Sequence, residues 1–175
     1  MNCLEGESKQ EEGDTMTVHN LNPHATALLI ALYRNSTSQN LVPLTETSPD
    51  QVGRMYLIGP WHFPPAILSL NRDLRDEDRW YEAFTYLRTH SFIRHDVGNV
   101  WKLAGPGWSY VDGLRELGKK APDGTLLWDS INTCLDRLKL AQAGQQGGSP
   151  VTGSDGDVNS LTLRLIDLCG EYRKN

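Results

Sequence analysis

The sequence predicts a mainly α domain that carries one small β-hairpin and ends in further helices. Apolar residues recur at helical spacing near residues 23–35, 77–91, 106–117, 125–141 and 158–172. Two short runs rich in β-formers flank the Gly98-Asn99 pair, which supplies turn chemistry for a hairpin. The chain of 175 residues is long enough for one real core with appendages.

Residues 1–20 read as a disordered acidic tail. The first fifteen hold five acids and one lysine, and they lack the apolar run of a secretory signal. Asn22 and Pro23 form a good helix start, as N-cap and first helical residue. Ala25, Leu28, Leu29 and Leu32 then give the stripe of a helix over 23–35. The Ser/Thr/Asn-rich stretch from Asn35 to Thr47 reads as a loop. Ser48-Pro49-Asp50-Gln51 has the form of a capping box, so Val52, Met55 and Tyr56 predict a short helix ending at Gly59-Pro60. Pro64-Pro65 opens another short helix over Ala66 to Leu70.

Asp76 caps the next helix, and Trp80, Ala83, Phe84 and Leu87 share one face of it over 77–91. Phe92 and Ile93, then Val100, Trp101 and Leu103, are the two strands of the hairpin. A helix from Pro106 carries Trp108, Val111, Leu114 and Leu117. After the turn Pro122-Asp123-Gly124 comes the stripe Leu127, Ile131, Cys134, Leu135 and Leu138. The resulting organisation is a domain over 21–118, a helical extension over 119–142 and a Gly/Ser/Gln-rich linker over 143–156. A last helix over 157–175, with Val158, Leu161, Leu165, Leu168 and Tyr172 as its stripe, must dock on its own domain or on a second copy.

The formal net charge is −5, of which the first fifteen residues carry −4. The rest is near neutral, which excludes a broadly basic nucleic-acid coat but leaves room for local basic patches. No apolar run approaches the length of a membrane span, so no membrane partner is expected. The three cysteines are far apart, and Cys134 and Cys169, each beside leucines in helical patterns, read as buried thiols in a reducing cytosol, giving a cytoplasmic expectation. An enzyme is not expected. The five histidines show no metal-ligand spacing, and Gly105-Pro106-Gly107 lacks the lysine of a phosphate loop. Asp155, Asp157 and Asn159 match three positions of a calcium loop, but Ser160 and Ile166 stand where glycine and glutamate are required. No cofactor and no metal are therefore expected.

The segment from Tyr86 to Val111 resembles winged helix-turn-helix regulators, and the resemblance extends over roughly residues 22–118. In that family a helix ends in a leucine and a phenylalanine-isoleucine phrase, a hairpin wing follows, and a leucine, a glycine and a hydrophobic residue come next. Leu87, Phe92, Ile93, the Val97-Gly98-Asn99 turn, Leu103, Gly107 and Val111 stand in those places. Pro60, Pro64 and Pro65 interrupt the second helix that the family would have. The resemblance implies a winged-helix domain with added C-terminal helices, a homodimer, and binding of double-stranded DNA through a recognition helix and a wing.

Phosphate contacts supply most DNA affinity and need Lys or Arg. The expected anchors are Arg75, Arg79, Arg88, Arg94 and Lys102, with Tyr81 and Thr85 on the outer helix face for base edges. Against them, Asp76, Glu77, Asp78 and Glu82 crowd the start of the same helix, where the ordinary account is the helix dipole and solvation. The alternative is a protein-interaction adaptor that binds no nucleic acid. Its contacts would be Glu77, Asp78, Glu82 and Trp61, the last in a proline-framed loop that either meets a partner or plugs its own core.

Overall fold

The computed structural model describes residues 21–35, 40–48, 51–64, 74–146 and 158–174. The elements in chain order are α1 (Pro23–Arg34), β1 (Leu41–Ser48), β2 (Gln51–Ile58), β3 (Trp61–Phe63), α2 (Leu74–Thr89), β4 (Ile93–His95), β5 (Trp101–Leu103), α3 (Gly105–Glu116), α4 (Leu127–Gln146) and α5 (Val158–Glu171). The five strands form one antiparallel sheet in the order β3-β2-β1-β5-β4. Helices plus a small sheet is the architecture expected, but the sheet is larger than one hairpin.

The helix α1 starts as its cap predicts: Asn22 Oδ1 accepts the Ala25 N–H at 2.7 Å, with Pro23 in the first turn. Every residue from His24 to Leu32 is buried. A helix buried on all sides is a core element, and α1 contacts α2, α3, α5, β2 and β5. The buried residues form a single cluster that runs from Leu21 to Tyr172.

The stretch expected as a loop and a short helix is instead the β1–β2 hairpin. Its register pairs Leu41 with Ile58, Pro43 with Tyr56 and Ser48 with Gln51. The apparent capping box therefore begins on β1 at Ser48 and ends on β2 at Gln51, which pair with each other. Val52, Met55 and Tyr56 satisfy helical spacing, but the pairing imposes alternation. Tyr56 and Ile58 are buried while Met55 and Leu57 are only half-buried. The end at Gly59-Pro60 is a turn into β3. The short helix expected over Ala66 to Leu70 lies outside the described residues.

One sheet face packs on α2 through aromatic pairs. Ring centroids are 4.8 Å apart for Phe63 and Trp80, 5.0 Å for Tyr56 and Phe84, and 5.5 Å for Phe84 and Trp101. The stripe Trp80, Ala83, Phe84 and Leu87 is buried as its periodicity predicts. The β4–β5 ribbon follows α2 directly, with Ile93 opposite Leu103 and Arg94 opposite Lys102. Gly98 takes φ +62° in its turn, as the hairpin chemistry requires.

The edge of β3 is closed by a side chain. Gln142 of α4 is fully buried; its Oε1 accepts the His62 N–H at 3.2 Å and its Nε2 donates to the His62 carbonyl at 2.9 Å. The amide stands in for a neighbouring strand and removes an open edge. Gln142→Leu removes both bonds at a buried site. It is expected to lower stability by about 1–3 kcal/mol, read as a shift in the urea midpoint with unchanged slope.

The helix α4 runs to Gln146, into the stretch expected as linker; the remainder of that linker lies outside the described residues. The last helix docks in cis. Its residues Leu161, Leu165 and Leu168 are buried and α5 packs on α4 and α1. The Cys134 thiol donates to the Leu161 carbonyl at 3.3 Å, and Lys119 Nζ donates to the Tyr172 carbonyl at 2.9 Å. The apolar stripe of α5 is thus used within one chain, and a dimer would need another surface.

Candidate nucleic-acid interface

At 3.6 residues per turn, the positions of α2 opposite the Trp80–Leu87 stripe are Asp78, Glu82, Thr85 and Thr89; Asp78, Glu82 and Thr89 are exposed and Thr85 is half-buried. Arg79 and Tyr86 occupy one shoulder of this crown. Tyr81 and Arg88 occupy the other, all four again exposed. Arg75 is exposed beside Arg79 at the start of the helix.

Two of the four acids that weighed against phosphate binding are turned inward. Glu77 is buried. Asp76 accepts the Trp80 indole N–H at 3.3 Å and lies 3.5 Å from His24 Nε2. Trp80 itself meets the His24 ring edge-on at 4.8 Å, so this end of α2 is tied to the start of α1. Of the acidic group Asp78 and Glu82 are exposed, while Asp76 keeps 30% of its side chain in solvent and Glu77 is buried.

The expected base-edge contacts are not free as the sequence predicted. The Arg54 guanidinium lies 3.9 Å from the Tyr81 ring centroid and covers it. Thr85 is half-buried, and its hydroxyl oxygen is enclosed without a hydrogen-bond partner among the described residues. By the helical period Thr85 lies on the crown, and the period alone does not show that it is covered.

The wing splits from the helix. Trp101 and Ile93 face α2, so strand alternation puts Arg94 and Lys102 on the opposite face of the ribbon. Arg94 is exposed. Lys102 is engaged by Asp96 at 2.7 Å, and the lysine holds that carboxyl below the usual aspartate range. The His95 ring nitrogen Nε2 lies 2.6 Å from the Gly98 carbonyl, within the same turn. The seven expected residues therefore do not form one surface.

Arg54 is the cation that sequence reasoning missed. Its strand was read as a helix, so its direction was lost. The signal was the run Met55, Tyr56, Leu57, Ile58 stopped by Gly59-Pro60, which also fits a buried strand. Register puts Arg54 on the same sheet face as Tyr56, toward α2. Burial pushes the Tyr56 phenol up to about 12, against the pull of the nearby Arg54 and Arg88 guanidinium groups. Arg54 and Arg88 thus stand on the same shoulder of α2. Among the described residues, neither these two nor Arg79 forms an ion pair.

The adaptor contacts are reduced to Asp78 and Glu82. Trp61 is 4% exposed and its indole N–H donates to the Leu135 carbonyl at 2.8 Å, so the loop plugs its own core. Elsewhere, a cavity of about 240 Å³ between α4 and α5 is lined by Asp123, Asp129, Cys134, Arg137 and Arg164 among others. Burial raises the Cys134 thiol, which removes its thiolate character. Among the described residues no three His, Cys, Asp or Glu side chains are placed to share a metal ion, and no helix is long and apolar enough to cross a membrane. Compared with known proteins, the chain matches no family model, no curated protein and no solved structure.

Proposed function

We propose that this chain is a non-catalytic DNA-binding or regulatory protein built on a winged-helix plan. The carrying observation is the outer face of α2, shouldered by Arg79 on one side and by Arg54 and Arg88 on the other, with Asp76 and Glu77 withdrawn from it. The plan is supported by α2 leading into the β4–β5 ribbon, and by β1 joining β5 to make the three-strand order β1-β5-β4. The strand after the first helix lies beside the wing in the same way in a winged helix. Where that fold has its second helix, this chain has β2, β3 and a segment outside the described residues. The buried free thiols of Cys134 and Cys169 fit a reducing, cytoplasmic setting.

In this reading α2 enters a major groove and its shoulder arginines meet the phosphates on either rim. Arg75 adds to the shoulder of Arg79, whereas Arg94, on the ribbon face turned away from α2, lies outside this contact. Affinity for a mixed-sequence duplex should fall steeply with salt, because each neutralised phosphate releases counterions. Arg54→Ala, Arg79→Ala and Arg88→Ala should each lower the log–log salt slope by about one. Arg137→Ala, on α4, should leave it unchanged. Fluorescence anisotropy across a salt series checks this. A chain that binds no duplex at low salt is not a DNA-binding protein.

A further inference from the structure

We infer that Asp78 and Glu82 read the amino groups of cytosines on the floor of the major groove; this rests on the DNA-binding reading above. Acids on the crown of a helix are wrong for one that lies along phosphates. They are right for one that is inserted between them. In a duplex the negative charge lies on the groove rims, while the floor presents base edges. The section of α2 has that arrangement in complement: Arg79 on one shoulder, Arg54 and Arg88 on the other, and Asp78 and Glu82 between them, opposite the buried stripe. A helix with its side chains is about 10–12 Å across, which matches a major groove about 12 Å wide.

The base preference follows from chemistry. An ionised carboxylate only accepts hydrogen bonds. Guanine offers it two acceptors in the major groove and thymine one acceptor and a methyl group, so both repel or exclude it. Cytosine offers the N4 amino donor. Adenine offers a donor beside an acceptor, a pattern that suits an amide better than a carboxylate. Four residues of helix rise about 6 Å, close to two base steps of about 3.4 Å. Asp78 and Glu82 therefore address two pairs about two steps apart, and each wrong base leaves a carboxylate facing an acceptor.

The test is selection of the full chain on a pool of duplexes with a randomised core, at low salt, followed by sequencing. Wild type should enrich C·G at two positions about two steps apart. Glu82→Gln should shift one of these toward adenine, and Asp78→Asn the other, each by about fivefold or more. On the selected duplex, N4-methylcytosine at the Glu82 position should weaken wild type and leave Glu82→Gln unaffected. If the variants bind every duplex more tightly with an unchanged base preference, the crown acids are not readers, although the DNA-binding reading stands. If wild type retains no duplex at all, the functional reading fails first and this inference falls with it.

Discussion

Trp61→Ala should be the most damaging single substitution of an aromatic that the sequence placed in a loop. The side chain is almost fully buried on β3, its indole N–H reaches the Leu135 carbonyl of α4, and the Arg34 guanidinium lies 5.9 Å from its ring centroid. Truncating a buried tryptophan costs about 3–5 kcal/mol. A small domain holds only about 5–15 kcal/mol in total, so much of the margin goes at once. Trp61→Phe keeps most of the apolar contact and loses the hydrogen bond, which should cost nearer 1 kcal/mol. Urea unfolding of both variants gives the comparison. A Trp61→Ala protein with an unchanged midpoint would return Trp61 to the surface and restore the adaptor reading.

Gly107→Ala should lower stability by roughly 3 kcal/mol, at the upper end of what overpacking usually costs. A Cβ on Gly107 would lie 2.2 Å from the Phe92 carbonyl oxygen and 2.9 Å from Leu103 Cδ2. The first of these is backbone, so α3 and the start of the ribbon must separate. Alanine's better helix propensity returns at most about 1 kcal/mol, which is smaller than the clash. Gly170→Ala is the control, since it sits in α5 and its Cβ would meet Pro23 Cγ at 3.6 Å, an ordinary contact. It should leave the unfolding midpoint unchanged or slightly raised. Equal stability of the two variants would mean that α3 does not press on the ribbon as described.

The exposed residues of α2 were legible only where they depend on the helical period. Asp78, Arg79, Glu82 and Arg88 are exposed on α2, as a helix with the Trp80–Leu87 stripe inward demands. The period says nothing about what stands beside the helix. Tyr81 is covered by Arg54, a neighbour distant in sequence, the Thr85 hydroxyl is enclosed and Glu77 is buried. Lys102, expected as a phosphate anchor, pairs with Asp96 across the wing turn.

Local chemistry by itself determined α1, α2, the β4–β5 ribbon, α3 and most of the last two helices. Caps, an apolar period and a Gly-Asn turn act within about one helical turn or one hairpin, so a short window of residues carries them. Only the tertiary structure decided that residues 41–48 and 51–58 are strands, that Arg54 points toward α2 and that Trp61 seals the core. It also decided that α5 docks on its own chain. Strand pairing joins segments whose match is not visible in either one alone, and a stripe such as Val52, Met55 and Tyr56 serves two periods until a partner selects one. Burial is likewise a property of the whole packed molecule, which is why the sequence left Trp61 open between a partner contact and a plug of its own core.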